Sequence, residues 1–236
     1  ALTLLLCCKN YTISILRIIW FQLLSIHINM VKIAVILFIL FYSSVATADK
    51  FTLIQSLTLC NPNFFKEVYA NKSELQKYTN IQTFDKNKAY ISVENRTDTN
   101  KNYTYFKIPM TYKNLIIKGY YDSAMDLGKM GKYYFWGFII DNDINQIKET
   151  LNFIDWKNME DNLLYIANPM IRNINDEIHV WNENTGTVVG VKTIPAPDTT
   201  EKLLLLEKGA NMNLLICSIQ GIVTVELLKQ ERPDIK

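Results

Sequence analysis

The chain holds two histidines, His27 and His179, and His27 stands inside an apolar N-terminal run. Histidine chemistry in the remainder would rest on His179, in E-I-H-V-W. A Ser-His-Asp triad needs a nucleophile on a sharp turn, and no G-x-S-x-G is present. A solvent-facing strand histidine is the better reading. A histidine zinc site lacks H-E-x-x-H, and the cysteines are expected to be oxidised. Neither a metal nor a cofactor is expected.

Carboxylates are harder to dismiss. Glycoside hydrolysis needs only two acids across a cleft, and 23 acidic residues are available. Nothing in the sequence selects a pair. Asp141-Asn142-Asp143-Ile144-Asn145 resembles a calcium loop superficially, but the glycine turn is missing and Phe153-Ile154 fall where an acid is wanted. Helix capping explains it better. Gly119, Gly128, Gly131 and Gly137 are scattered and form no phosphate loop or dinucleotide fingerprint. Asn71-Lys72-Ser73, Asn95-Arg96-Thr97 and Asn102-Tyr103-Thr104 match the glycosylation sequon, a frequent accident in an Asn-rich chain.

K-Y-Y-F-W-G-F-I-I-D, residues 132–141, stands out. A strand with one wet face alternates, whereas this one is apolar on both: Tyr133, Phe135 and Ile139 on one, Tyr134, Trp136, Phe138 and Ile140 on the other. Two readings stand. It is a central strand covered on both sides, or one face lines a groove for a partner. Tyr120, Tyr121, Tyr134 and Trp136 are the candidate partner-binding residues, because Tyr and Trp pair a large apolar area with a polar tip. The Met-bearing loop Asp122–Lys132 is either a recognition loop or a plain connector.

The elements that must position these residues can be read from periodicity. Phe51–Cys60 reads as a strand, and Asn61-Pro62-Asn63 breaks it. Phe64–Tyr78 reads as an amphipathic helix, with Phe64, Phe65, Val68 and Leu75 near one face. Strands follow over Ala89–Glu94, Tyr103–Met110, Leu115–Tyr121 and Tyr133–Ile140. Asp141-Asn142-Asp143 then caps a helix with Ile144, Ile147, Leu151 and Ile154 at helical spacing. Asp161–Ile174 is ambiguous, with room for a short helix before Pro169. Further strands are expected over Glu177–Trp181, Thr187–Ile194, Lys202–Leu206 and Leu214–Ile219, and a last helix over Val223–Glu231. The fold class is α+β: antiparallel meanders with helices packed on them. The repeated order suggests two ββββα halves, 49–156 and 157–236.

The front of the chain carries two apolar runs, Ile13–Ile28 and Ile33–Tyr42. Met30, Lys32, the second run and Ala46-Thr47-Ala48 together make a secretory signal, residues 30–48, cut before Asp49. The alternative is an uncleaved membrane anchor, for which ten apolar residues are short. Residues 1–29 are then an upstream extension rather than a first membrane helix. The mature part, 49–236, is one domain by length. Three of the 25 basic residues (Lys9, Arg17, Lys32) lie in the leader, leaving 22 against 23 acids. Near-neutral charge gives no case for nucleic acid.

Cys60 and Cys217 remain beyond the leader and are expected to form one disulfide. Together these features suggest a periplasmic or secreted, non-catalytic protein that binds another protein, an immunity factor or inhibitor for a secreted toxin being one form. A glycan hydrolase using paired carboxylates and an envelope assembly component are the alternatives. A membrane contact is expected only through an uncleaved leader.

Overall fold

The computed structural model describes residues 48–186 and 195–235. Asp49–Lys236 form one compact unit; the other unit, Ala1–Ala48, lies outside the described residues apart from Ala48. The expected leader, residues 1–29 and 30–48, therefore falls outside the description except for its last residue, as does the strand expected over Thr187–Ile194. Among the described residues no helix is long and apolar enough to cross a membrane.

The described residues open on a helix, α1 (Ala48–Thr58), where a strand was expected over Phe51–Cys60. Leu53, Ile54 and Leu57 are buried while Leu59 is 55% exposed. That is the i, i+1, i+4 pattern of a helix face, and it overrides the alternation that favoured a strand. Next come α2 (Asn63–Ala70) and α3 (Lys72–Leu75). They divide the helix expected over Phe64–Tyr78 at Asn71, whose side-chain amide donates back to the Glu67 carbonyl at 2.9 Å.

A small hairpin, β1 (Ile81–Asp85) with β2 (Lys88–Ile91), precedes the main sheet. Then follow β3 (Tyr103–Tyr112), β4 (Leu115–Asp126), β5 (Lys132–Ile140), α4 (Ile144–Thr150), β6 (Lys157–Glu160), β7 (Leu164–Asn173), β8 (Asn182–Glu183), β9 (Thr199–Lys208), β10 (Asn213–Gly221) and α5 (Val225–Glu231). The molecule is α+β, with antiparallel sheets and helices packed on them. The order is β3-β4-β5-β10-β9-β7-β6, with β8 on β7, and every pair is antiparallel. β3–β4–β5 lead into α4, and β9–β10 lead into α5, so the two runs meet where β5 pairs with β10.

Two expectations are corrected here. The ambiguous stretch Asp161–Ile174 is mostly the strand β7. Pro169 is tolerated because it sits in an irregularity between Ala167 and Met170, where Asn168 takes φ 50°. Glu177–Trp181 is not a strand. A turn closed by Val180 N–H on the Glu177 carbonyl (2.8 Å) lets Ile178 and Trp181 pack on the main core.

All five described helices bear on one face of the sheet. Tyr134, Trp136, Phe138 and Ile140 of β5 lie on it, beside Leu215, Cys217 and Ile219 of β10. Over them pack Leu53, Ile54 and Leu57 of α1, Phe64, Phe65 and Val68 of α2, Leu75 of α3, Ile144 and Ile147 of α4, and Leu227 of α5. Gly137 lies on the other face, where a Cβ would come within 2.1 Å of the Leu215 carbonyl oxygen, so only glycine lets β5 and β10 approach this closely. Cys60, in the turn after α1, is bonded to Cys217 in mid-β10, with Cα atoms 5.3 Å apart. The bridge was expected to join two strands; it joins a helix end to a strand. By the chain-entropy model, a closed loop of this size stabilises by up to about 5 kcal/mol.

Candidate functional site

Three of the four candidate partner-binding residues lie beneath the helices. Tyr120 and Trp136 are fully buried, and Tyr134 is 8% exposed. The ring of Phe64 stacks on Tyr120 from α2. The three line a buried ion cluster. Asp122, directly opposite Trp136 on the neighbouring strand, accepts from Arg232 Nη2 at 2.9 and 3.0 Å and from Arg96 Nε at 2.8 Å. Asp234 accepts from Arg232 Nε at 3.0 Å, Arg232 Nη2 at 2.9 Å and Arg96 Nη2 at 2.7 Å. The Arg232 guanidinium lies 4.7 Å from the Trp136 ring and 5.7 Å from the Phe65 ring.

The cluster holds two cations and two anions and is neutral. Burial works against the Arg232 charge, but Asp122 and Asp234 outweigh it and hold its pKa above the ordinary arginine value. Burial pushes the Asp122 carboxyl up, against the pull of Arg232 and Arg96. Burial likewise pushes the Tyr120 hydroxyl well above its ordinary value. Sequence reasoning missed this cluster. Its only local signal is Asp122, an acid at an inward position of an apolar strand; Arg232 is 110 residues away.

Tyr121 is different. It points to the opposite face of the sheet and is half-buried. Ile166, Leu203, Leu205 and Ile216 form a buried apolar group on that face, with Tyr121, Phe135, Met159, Leu164 and Leu214 half-buried around it. Among the described residues no helix contributes to this group. Tyr121, Gly137, Ile216, Leu205 and Ile166 lie directly opposite one another across β4, β5, β10, β9 and β7. The row is therefore a continuous apolar belt.

The β4–β5 turn lies further along β4 from Tyr121, beyond Met125, which stands opposite Tyr133. The loop expected over Asp122–Lys132 is shorter than that, because β4 runs on to Asp126. The turn is a single 3-10 turn, Gly128–Met130, closed by Leu127 N–H on the Gly131 carbonyl at 2.9 Å. Gly128 and Gly131 take φ 62° and 94°, values that favour glycine. Met125, Leu127 and Met130 are 38%, 41% and 43% exposed there.

A cleft of about 640 Å³ is lined by Arg96 and Asp234 of the ion cluster, and two others hold ionisable side chains. One, of about 670 Å³, lies between the start of α4 and the β9–β10 turn, and Asp141 and Asp143 line it. Both are engaged: Asp143 accepts from the Asn145 and Gln146 N–H groups as the α4 N-cap, and Asp141 pairs with Lys118 at 2.5 Å. The other, of about 590 Å³, has Lys202, Trp181 and Pro169 as its floor and Asp155, Lys157 and Glu183 at its rim. Lys202 Nζ donates to Glu231 Oε2 at 3.0 Å and lies 4.1 Å from the Trp181 ring centre. Trp181 Nε1 donates to Glu231 Oε1 at 2.9 Å. Burial pushes the Lys202 ammonium below its ordinary value, against the opposing effect of Glu231.

His179 is exposed, 3.3 Å from Glu177. Among the described residues no group of three or more His, Cys, Asp or Glu side chains is placed to hold a metal ion. No known family, curated protein or solved structure matches the chain.

Proposed function

We propose that this is an exported, non-catalytic protein that binds another protein through the β4–β5 turn and the adjoining rim of the sheet face on which no described helix packs. An inhibitor or immunity factor for a secreted toxin is one concrete form. The observation that carries the reading is the turn itself. Three large apolar side chains, Met125, Leu127 and Met130, are exposed within six residues at the hairpin end. Exposed apolar groups clustered on a surface turn mark an interaction site. Tyr121 and Phe135 extend it onto the sheet, while Tyr120, Tyr134 and Trp136 support the fold beneath. The disulfide is compatible with an oxidising compartment outside the cytoplasm.

The test is photocrosslinking in the native host. Benzoylphenylalanine in place of Leu127 should give a discrete protein adduct, and the same residue in place of Phe153, exposed after α4, should not. Met125→Ser/Met130→Ser should abolish the adduct without altering the circular dichroism spectrum. Equal adducts from both positions, or none from position 127, would remove the reading.

A further inference from the structure

We propose that the cleft beside Lys202 binds an organic monocarboxylate with an apolar body, its carboxylate seated on the Lys202 ammonium. The cleft lies on the helix-covered side of β9, where Lys202 stands opposite Ile219, so this site does not rest on the interaction surface proposed above.

Lys202 is only 6% exposed, yet it lines the cleft. An ammonium has three N–H donors. One reaches Glu231, and the indole of Trp181 faces the nitrogen. No described residue accepts from a third. A buried donor without an acceptor is an incomplete site that a ligand oxygen completes.

The surrounding charge points the same way. Arg172, 3% exposed, lies 6.0 Å from the same indole. Its Nη2 donates to a backbone carbonyl, that of Asp176, and its Nε makes no hydrogen bond. Arg172 and Lys202 thus both lie against Trp181, and Glu231 is the charged partner of Lys202. An ammonium held where water screens little attracts an anion strongly.

The remaining lining sets the rest of the ligand. Trp181, Pro169, Met170 and Leu59 offer apolar surface. Asp155 and Glu183 at the rim, against Lys157 alone, oppose a second negative charge and so exclude polyanions such as nucleotides. Asn168, also at the rim, is held at φ 50° with its amide donating to the Thr58 carbonyl at 3.0 Å.

Two sources fit this chemistry, a free organic acid and the C-terminal carboxylate of a polypeptide. The experiment titrates protein expressed from the full sequence by calorimetry. The probes are 3-phenylpropanoate with its neutral amide, and N-acetyl-Ala-Phe with its C-terminal amide. At least one acid should bind tenfold or more tightly than its own amide, and which acid does so identifies the source. Lys202→Met should bring the acid down to the amide's level. Because that variant leaves Glu231 unpaired, Lys202→Met/Glu231→Leu, which removes both charges, should show the same loss in a folded protein. Equal binding of acid and amide in both pairs, no binding of any probe, or unchanged acid binding by the double variant would overturn the proposal.

Discussion

Glu231 and Arg232 are consecutive residues at the end of α5, and each enters a different buried ion cluster. Around Arg232 every charge has its counter-charge, and both carboxylates accept from both guanidinium groups. Around Glu231 one carboxylate pairs with Lys202 and accepts from Trp181, and Lys202 lines a cleft. The contrast separates two uses of buried charge. The charge-balanced cluster fastens β4, the Arg96 loop and Asp234 together, although Arg232 Nη1 makes no hydrogen bond and Arg96 and Asp234 border a cleft of about 640 Å³. A lone buried ammonium and carboxylate pair beside a cleft is a place where binding can still gain.

The comparison breaks most severely if Arg232 is expendable. Arg232→Met leaves Asp122 and Asp234 buried with Arg96 alone, and should cost about 3–5 kcal/mol in urea unfolding. Cys60→Ala/Cys217→Ala should cost about 2–4 kcal/mol, read the same way. Lys202→Met should cost less than either, about 2 kcal/mol, because Glu231 keeps its bond from Trp181. Lys202→Met/Glu231→Leu should recover most of that loss.

Alkaline pH should separate the two clusters by sign. Tyr120 keeps its proton in the folded chain above its ordinary value of 10.0. Its contribution is complete below that value and is lost as pH rises, by about 1.4 kcal/mol per pH unit. Lys202 behaves oppositely. Its proton is held less tightly when folded, so stability rises with pH from the lowered folded value up to the ordinary 10.5 and is level beyond. Tyr120→Phe should remove part of the decline and Lys202→Met the rise, both read from pH-dependent melting. The smallest effect on stability is expected at the surface turn, where Met125→Ser/Met130→Ser should shift it by under about 0.5 kcal/mol while crosslinking at position 127 is lost.

Much of the fold was legible because period-2 and period-3.6 patterns are local. β3, β4, β5, β9, β10, α4 and α5 all follow from their own residues. The doubly apolar β5 correctly required cover on the helix side. α1 was misread because F-T-L-I-Q-S-L-T-L-C satisfies both periods, and only the helices and strands around it decide between them. The candidate site fared worse. Tyr121 and Trp136 share an aromatic character, but one faces the helices and the other does not, and the sequence gives no sign of which face the helices take. Arg232, Asp122, Lys202 and Glu231 meet only through tertiary approach, across separations no motif spans.

β10 is the last strand in the chain, yet it sits between β5 and β9 in the middle of the sheet. While a nascent polypeptide lacks it, β5 and β9 each present an open edge, and β5 has only β4 as a partner strand. Ribosomes that stop early would therefore release something proteases can recognise, rather than a nearly finished molecule.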